Sequence, residues 1–139
     1  IRTPEISEAA SLISVHPDVR GKLATLQRKL GEQTPSVLEG RDIGTRIFPD
    51  AGLKIYLAAS ARVRANRRAE EYRRKNTPFD LETLLREIEE RDHRDMNREH
   101  DPLRVADGAY VIDTSELSIE QQVTRVLQLA ESIFQIEVM

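Results

Sequence analysis

The sequence holds no cysteine and no tryptophan. Without thiols it forms no disulfide and offers no thiolate metal site. Aromatics are scarce, three tyrosines and three phenylalanines in 139 residues, which leaves few rings on which nucleic-acid bases could stack. No apolar run reaches the roughly 18 residues of a membrane-spanning helix. No signal-peptide pattern is visible, and a chain that opens on Ile1 rather than Met is read as having lost its beginning. Internal repeats and low-complexity tracts are also missing. What remains is 39% hydrophobic and 32% charged, enough for one modest globular domain with a core. The net charge of -3 argues against bulk nucleic-acid binding, yet six arginines fall between Arg62 and Arg74, so a phosphorylated partner stays open.

Thr3-Pro4-Glu5 reads as a helix start, with Thr3 as N-cap and Pro4 at the first helical position. That helix runs to about Val15 and breaks at His16-Pro17, where a second begins. Its Val19, Leu23, Leu26 and Leu30 recur at the spacing of one buried face. The opening is therefore a helical hairpin. Ser11 and Arg20 lie near its corner, either aimed at one ligand or simply exposed.

After a linker over residues 31–35, the run Val37-Leu38 reads as a strand that delivers Gly40-Arg41-Asp42-Ile43-Gly44 at its tip. Glycines permit a tight approach there, and in an open parallel sheet ligands bind beyond the carboxyl ends of strands. A surface turn with solvated charges is the alternative. Phe48-Pro49-Asp50 suits a turn, and Leu53–Ala58 a second strand ending at Ser60, which caps the arginine-rich helix. With only Ala61, Val63, Ala65 and Ala69 as apolar surface, this helix reads as shallowly placed, either a basic lid over a polyphosphate or a solvated face.

Asp80 caps the next helix, whose stripe is Leu81, Leu84, Leu85 and Ile88. At 100° per residue, Arg91, Asp95 and Arg98 continue the same stripe. A face that packs on a core and then turns into Arg, Asp, Arg leaves the core and lines a polar cleft. Asp95 can brace Arg91 while Arg98 stays free to fork onto a phosphate; ordinary ion pairs at an exposed helix end are the alternative. Asp101-Pro102 ends the helix. Ala109–Asp113 reads as a third strand covered on both faces, and Ser118 with Gln121 as a capping box for a last helix striped by Ile119, Val123, Val126, Leu127, Ala130, Ile133 and Phe134. Strands alternating with helices indicate an α/β sheet.

The motifs Glu39–Thr45, Phe48–Ala51, Lys54–Leu57 and Glu90–Arg98, with Ile1–Glu5 and Ala9-Ala10-Ser11, resemble bacterial cytidylate kinase in the family's order over nearly the whole chain. The resemblance implies an α/β fold: a parallel-sheet P-loop nucleoside monophosphate kinase core with a helical nucleotide-binding insert and a short lid, its N-terminal part absent. Residues 1–33 would be the end of the CMP-binding insert, and residues 34–139 the core, with the lid at about 63–80. It further implies transfer of the γ-phosphate of ATP to CMP or dCMP, with Mg2+ accompanying ATP, in the cytoplasm. Ser11, Arg20 and Asp42 match the cytosine-reading residues, Arg41 and Arg98 the catalytic arginines on the nucleotide phosphate, and Arg91 and Asp95 the pair at the pentose hydroxyls. Arg67 and Arg68 fall where the lid helix meets ATP. The implied partners are CMP or dCMP and ATP, without nucleic acid or membrane, in a monomer or in a chain paired with one that carries the missing segment.

Two departures stand out. Arg46 and Ile47 stand where the family usually has two apolar residues. No G-x-x-x-x-G-K-[ST] occurs, although that loop cradles the ATP phosphates. A catalytically inert nucleotide-binding or structural fragment is therefore the alternative to a kinase. A sheet lacking its first strand is expected to expose apolar surface and an unpaired edge.

Overall fold

The computed structural model describes residues 4–135. Helix α1 spans Pro4–Ile13, and the expected cap Thr3 lies outside the described residues. His16 then takes an extended conformation and Pro17 opens α2, Pro17–Gly31. Proline suits that position because its missing N–H would have had no intrahelical partner. After a short π-helical turn over Ile43–Ile47 come β1 (Ile55–Ala58), α3 (Ala61–Arg74), α4 (Leu81–Asn97), β2 (Tyr110–Asp113) and α5 (Ile119–Phe134). The strands pair in parallel, Ile55 opposite Tyr110 through Ala58 opposite Asp113. A parallel pair requires a crossover, here α3, α4 and the segment after them.

Two compact units divide the chain. The first holds residues 1–50 and 91–107, and the second residues 51–90 and 108–139, so α4 contributes its last turns to one and its first turns to the other.

In the first unit, Arg28 on α2 donates to the carbonyls of Ile47 (3.0 Å) and Arg46 (2.5 Å), tying the helix to the π-helical turn. Gly31 ends α2 where a Cβ would come within 2.7 Å of the Phe48 ring, so only glycine admits this approach without a shift. In the second unit, Ala69, Tyr72 and Leu84 form the core with Phe79 and Leu81 packed on it. Tyr72 and Phe79 meet edge to face, ring centres 6.2 Å apart.

The caps form as read: Ser60 accepts from the Val63 N–H at 3.2 Å, Asp80 from Thr83 at 2.8 Å, and Ser118 and Gln121 make the reciprocal capping box. Several expectations are corrected. The segment around Val37-Leu38 is irregular and Val37 is fully exposed, because among the described residues no strand pairs with it and isolated strand backbone is better served by water. Leu23, Leu26 and Leu30 are exposed, while Arg20 and Ala24 form the buried side of α2. Helix α3 is less superficial than its composition implies, since Ala65, Ala69 and Tyr72 are buried. Helix α4 stops at Asn97, ahead of Asp101, whose φ of 50° lies in the left-handed region. Tyr110 and Val111 of β2 are exposed and α5 buries no residue, because periodicity marks a face able to pack but does not supply what packs on it.

Candidate functional site

The first unit gathers arginines and carboxylates from three places: the corner of the helical hairpin, the glycine turn, and the end of α4. Gly40 permits the turn, since a Cβ there would lie 2.8 Å from Cγ1 of Ile43. The turn then offers Arg41 and Asp42 to different partners. Arg41 pairs with Asp95, whose side chain is 3% exposed, and also approaches Asp92 at 3.8 Å. Asp42 pairs with Arg20, a side chain 7% exposed.

Asp95 is the common carboxylate of the α4 end. Besides Arg41 it has Arg91 Nε at 3.8 Å and Arg98 Nη1 at 3.7 Å. The helical period does put Arg91 and Asp95 side by side, but the closest partner of Asp95 comes from the distant glycine turn. Arg98, just past the helix, is not free: its Nε donates to the Asp101 carbonyl at 2.6 Å. Its Nη2 is buried and has no hydrogen-bond partner. Burial, reinforced by the nearby Arg20 charge, lowers the Arg98 pKa from its usual value, with Asp95 and Asp42 acting against the shift; an arginine stays protonated regardless. A charged donor held out of water with an unused N–H is a ready seat for an anion.

Arg20 spreads over three acceptors: Asp42 through Nη2, Asp101 Oδ2 through Nε at 3.1 Å, and the Ser14 carbonyl through Nη1 at 3.3 Å. Ser11 is buried, and its Oγ accepts from Arg94 Nη1 at 2.8 Å. Continuous ion pairs and hydrogen bonds thus run Asp42–Arg20–Asp101–Arg98–Asp95–Arg41.

Arg67 and Arg68 belong to the second unit. Arg67 donates to the Thr114 hydroxyl at 3.1 Å and to the Thr114 carbonyl. Arg68 lies over the Tyr72 ring, 5.6 Å from its centre, and donates to its hydroxyl at 3.2 Å. Both therefore have protein partners of their own.

Sequence reasoning missed Arg94, Asp101 and the contact of Arg46. Arg94 follows Arg91 by one helical turn, a spacing that could have flagged it. Asp101 was read as a helix stop, and nothing local reveals its two ion pairs, to Arg20 and Arg46.

The family model described as cytidylate kinase matches residues 1–132. A cytidylate kinase from Syntrophotalea carbinolica is 49% identical over 93% of this chain and 55% of its own length. One from Caldicellulosiruptor bescii is 46% identical over 99% of this chain and 61% of its own length. One from Listeria monocytogenes is 44% identical over 94% and 58%. The chain therefore spans somewhat more than half the length of the curated relatives it matches.

Proposed function

The chain belongs to the cytidylate kinase family, and from that membership we propose that it carries the CMP-binding half of an enzyme moving the γ-phosphoryl group of ATP onto CMP or dCMP. A phosphate oxygen of CMP bonds to the γ-phosphorus, the bond from that phosphorus to the bridging oxygen breaks, and ADP leaves. Such transfers are catalysed mainly by positioning and by neutralising spread negative charge. Arg41 and Arg98 hold the CMP phosphate for that purpose. Ser11, Arg20 and Asp42 read the cytosine edge, where an acceptor for the exocyclic amine and donors for the ring carbonyl are needed. Arg91 and Asp95 take the pentose hydroxyls.

The observation that carries this reading is the continuous network from Asp42 to Arg41, within which Arg98 Nη2 is buried without a partner. Its two ends supply a carboxylate and an arginine, the complementary chemistry for a base amine and a phosphate. In this reading residues 1–33 are the end of the CMP-binding insert and residues 34–139 the core, with Arg67 and Arg68 on the lid toward ATP. Mg2+ would arrive with ATP. The described residues contain no group of three or more histidines, aspartates or glutamates able to hold a metal, and the sequence has no G-x-x-x-x-G-K-[ST]. The proposed work of these residues is to bind and orient CMP. CMP or dCMP and ATP are the proposed partners, in the cytoplasm, with the protein acting as a monomer or together with a chain that carries a phosphate-binding loop.

The test is ADP release from Mg-ATP on adding CMP, with UMP as control, on the full-length protein. Turnover with CMP and little with UMP is the expected result. Equal use of both removes the base-reading roles. Binding of CMP without turnover favours an inert nucleotide-binding protein.

A further inference from the structure

Asp101 stands at the join of the network and carries no role in the proposed site as described above. Its left-handed backbone, φ 50°, is a conformation that aspartate tolerates better than most residues. The turn that sets it is closed by the Leu103 N–H donating to the Asp95 carbonyl at 2.8 Å. So placed, Asp101 presents two acceptors. Its Oδ2 takes Arg20 Nε at 3.1 Å and also the guanidinium of Arg46, and its carbonyl takes Arg98 Nε at 2.6 Å.

Each contact fixes one edge of a planar fork. Arg20 is pinned at Nε by Asp101 and at Nη2 by Asp42, carboxylates from different segments, and with Nη1 on the Ser14 carbonyl these three points define the plane of the guanidinium. Arg98 is pinned at Nε, which leaves Nη2 buried and unpartnered. Building on the CMP reading, we propose that Asp101 is a positioning residue of the nucleotide site, orienting the base-reading Arg20 through its carboxylate and the phosphate-holding Arg98 through its carbonyl, with Arg46 anchoring the carboxylate. One residue then sets the spacing between the two ends of the bound nucleotide. The contact also accounts for a charged Arg46 beside the site, because its partner is Asp101 rather than solvent.

Asp101→Asn separates the two functions: it tolerates the left-handed backbone and keeps the carbonyl for Arg98 while removing the charge that faces Arg20 and Arg46. On the full-length protein, Asp101→Asn is expected to raise KM for CMP on the order of tenfold, with kcat within about threefold of wild type, and to narrow the preference for CMP over UMP by a similar factor. Asp101→Ala adds backbone strain and lowers kcat as well. In an Arg20→Ala background, Asp101→Asn should cause no further loss of base preference, a non-additivity that a purely structural role would not produce. Wild-type KM and preference in a folded Asp101→Asn protein would overturn the proposal and leave the CMP reading standing. Tighter CMP binding would overturn it too, showing a carboxylate that competes with nucleotide for Arg20. Failure of the wild-type protein to bind CMP would overturn both.

Discussion

Arg41 and Asp95 form an ion pair across 54 residues of sequence, with the Asp95 carboxylate almost wholly removed from water. A buried carboxylate is tolerable only when paired, and removing it leaves its cationic neighbours uncompensated. The pair joins the glycine turn to the end of α4, so it braces the site and the first unit together.

Asp95→Ala is therefore expected to destabilise the protein by about 3 kcal/mol, the low end for a buried pair because Arg41 is a third exposed. Urea unfolding read by circular dichroism checks this as a fall in the midpoint at constant slope.

Asp42→Ala removes the carboxylate on Arg20 and the proposed acceptor for the cytosine amine. The ratio of kcat/KM for CMP over UMP should drop by roughly 10- to 100-fold, the range for one charge-assisted hydrogen bond. An unchanged ratio would take Asp42 out of base recognition.

Arg94→Leu deprives the buried Ser11 hydroxyl of its charged donor. With Arg94 attached, one lone pair of the Ser11 oxygen is taken and the hydroxyl is oriented by that contact. Loss of that constraint should raise KM for CMP about fivefold with kcat little altered, read by steady-state kinetics.

Acid should weaken the fold through three carboxylates. Asp80 and Asp113 titrate below their ordinary value of 3.8, held down by hydrogen bonds from Thr83 and Ser115, and Glu120 below 4.5 by hydrogen bonds from Ser118 and its own backbone. Since each folded-state pKa is depressed, the stability it confers is complete above the ordinary value and is lost as pH falls through the folded value. Urea midpoints should hold from pH 7 to about 5 and fall below pH 4. Asp80→Asn, which keeps the acceptor for Thr83 but cannot ionise, should flatten part of that fall.

Ser118→Ala breaks the capping box of α5 and should lower stability by about 1 kcal/mol, measured as a drop in Tm.

The caps and helix limits were legible because they depend on nearest neighbours. Ser60, Asp80 and Ser118 each bond to a backbone N–H three residues ahead, and Pro17 needs only its own ring. Burial was less legible. The stripes of α2 and α5 have the right period yet stay largely exposed, while Ala65, Ala69 and Tyr72 of the arginine-rich α3 are buried. Exposure depends on what lies opposite, which no periodicity encodes. The site divides the same way. The side-by-side placement of Arg91 and Asp95 follows from 100° per residue, and the ordered motifs around Arg41 and Asp42 carried the family.

By itself, then, the sequence determined the local elements, their caps and the family resemblance, since each rests on contacts within a few residues or on residue identities in order. Only the tertiary structure decided which charge answers which. Asp95 closes more tightly on Arg41 than on its helical neighbour Arg91, Arg98 is tied down at Nε while Nη2 stays unpartnered, and Asp101 joins Arg20 to Arg98. Such partners are chosen by distance and by the cost of leaving a buried charge alone, and both exist only once remote segments have come together.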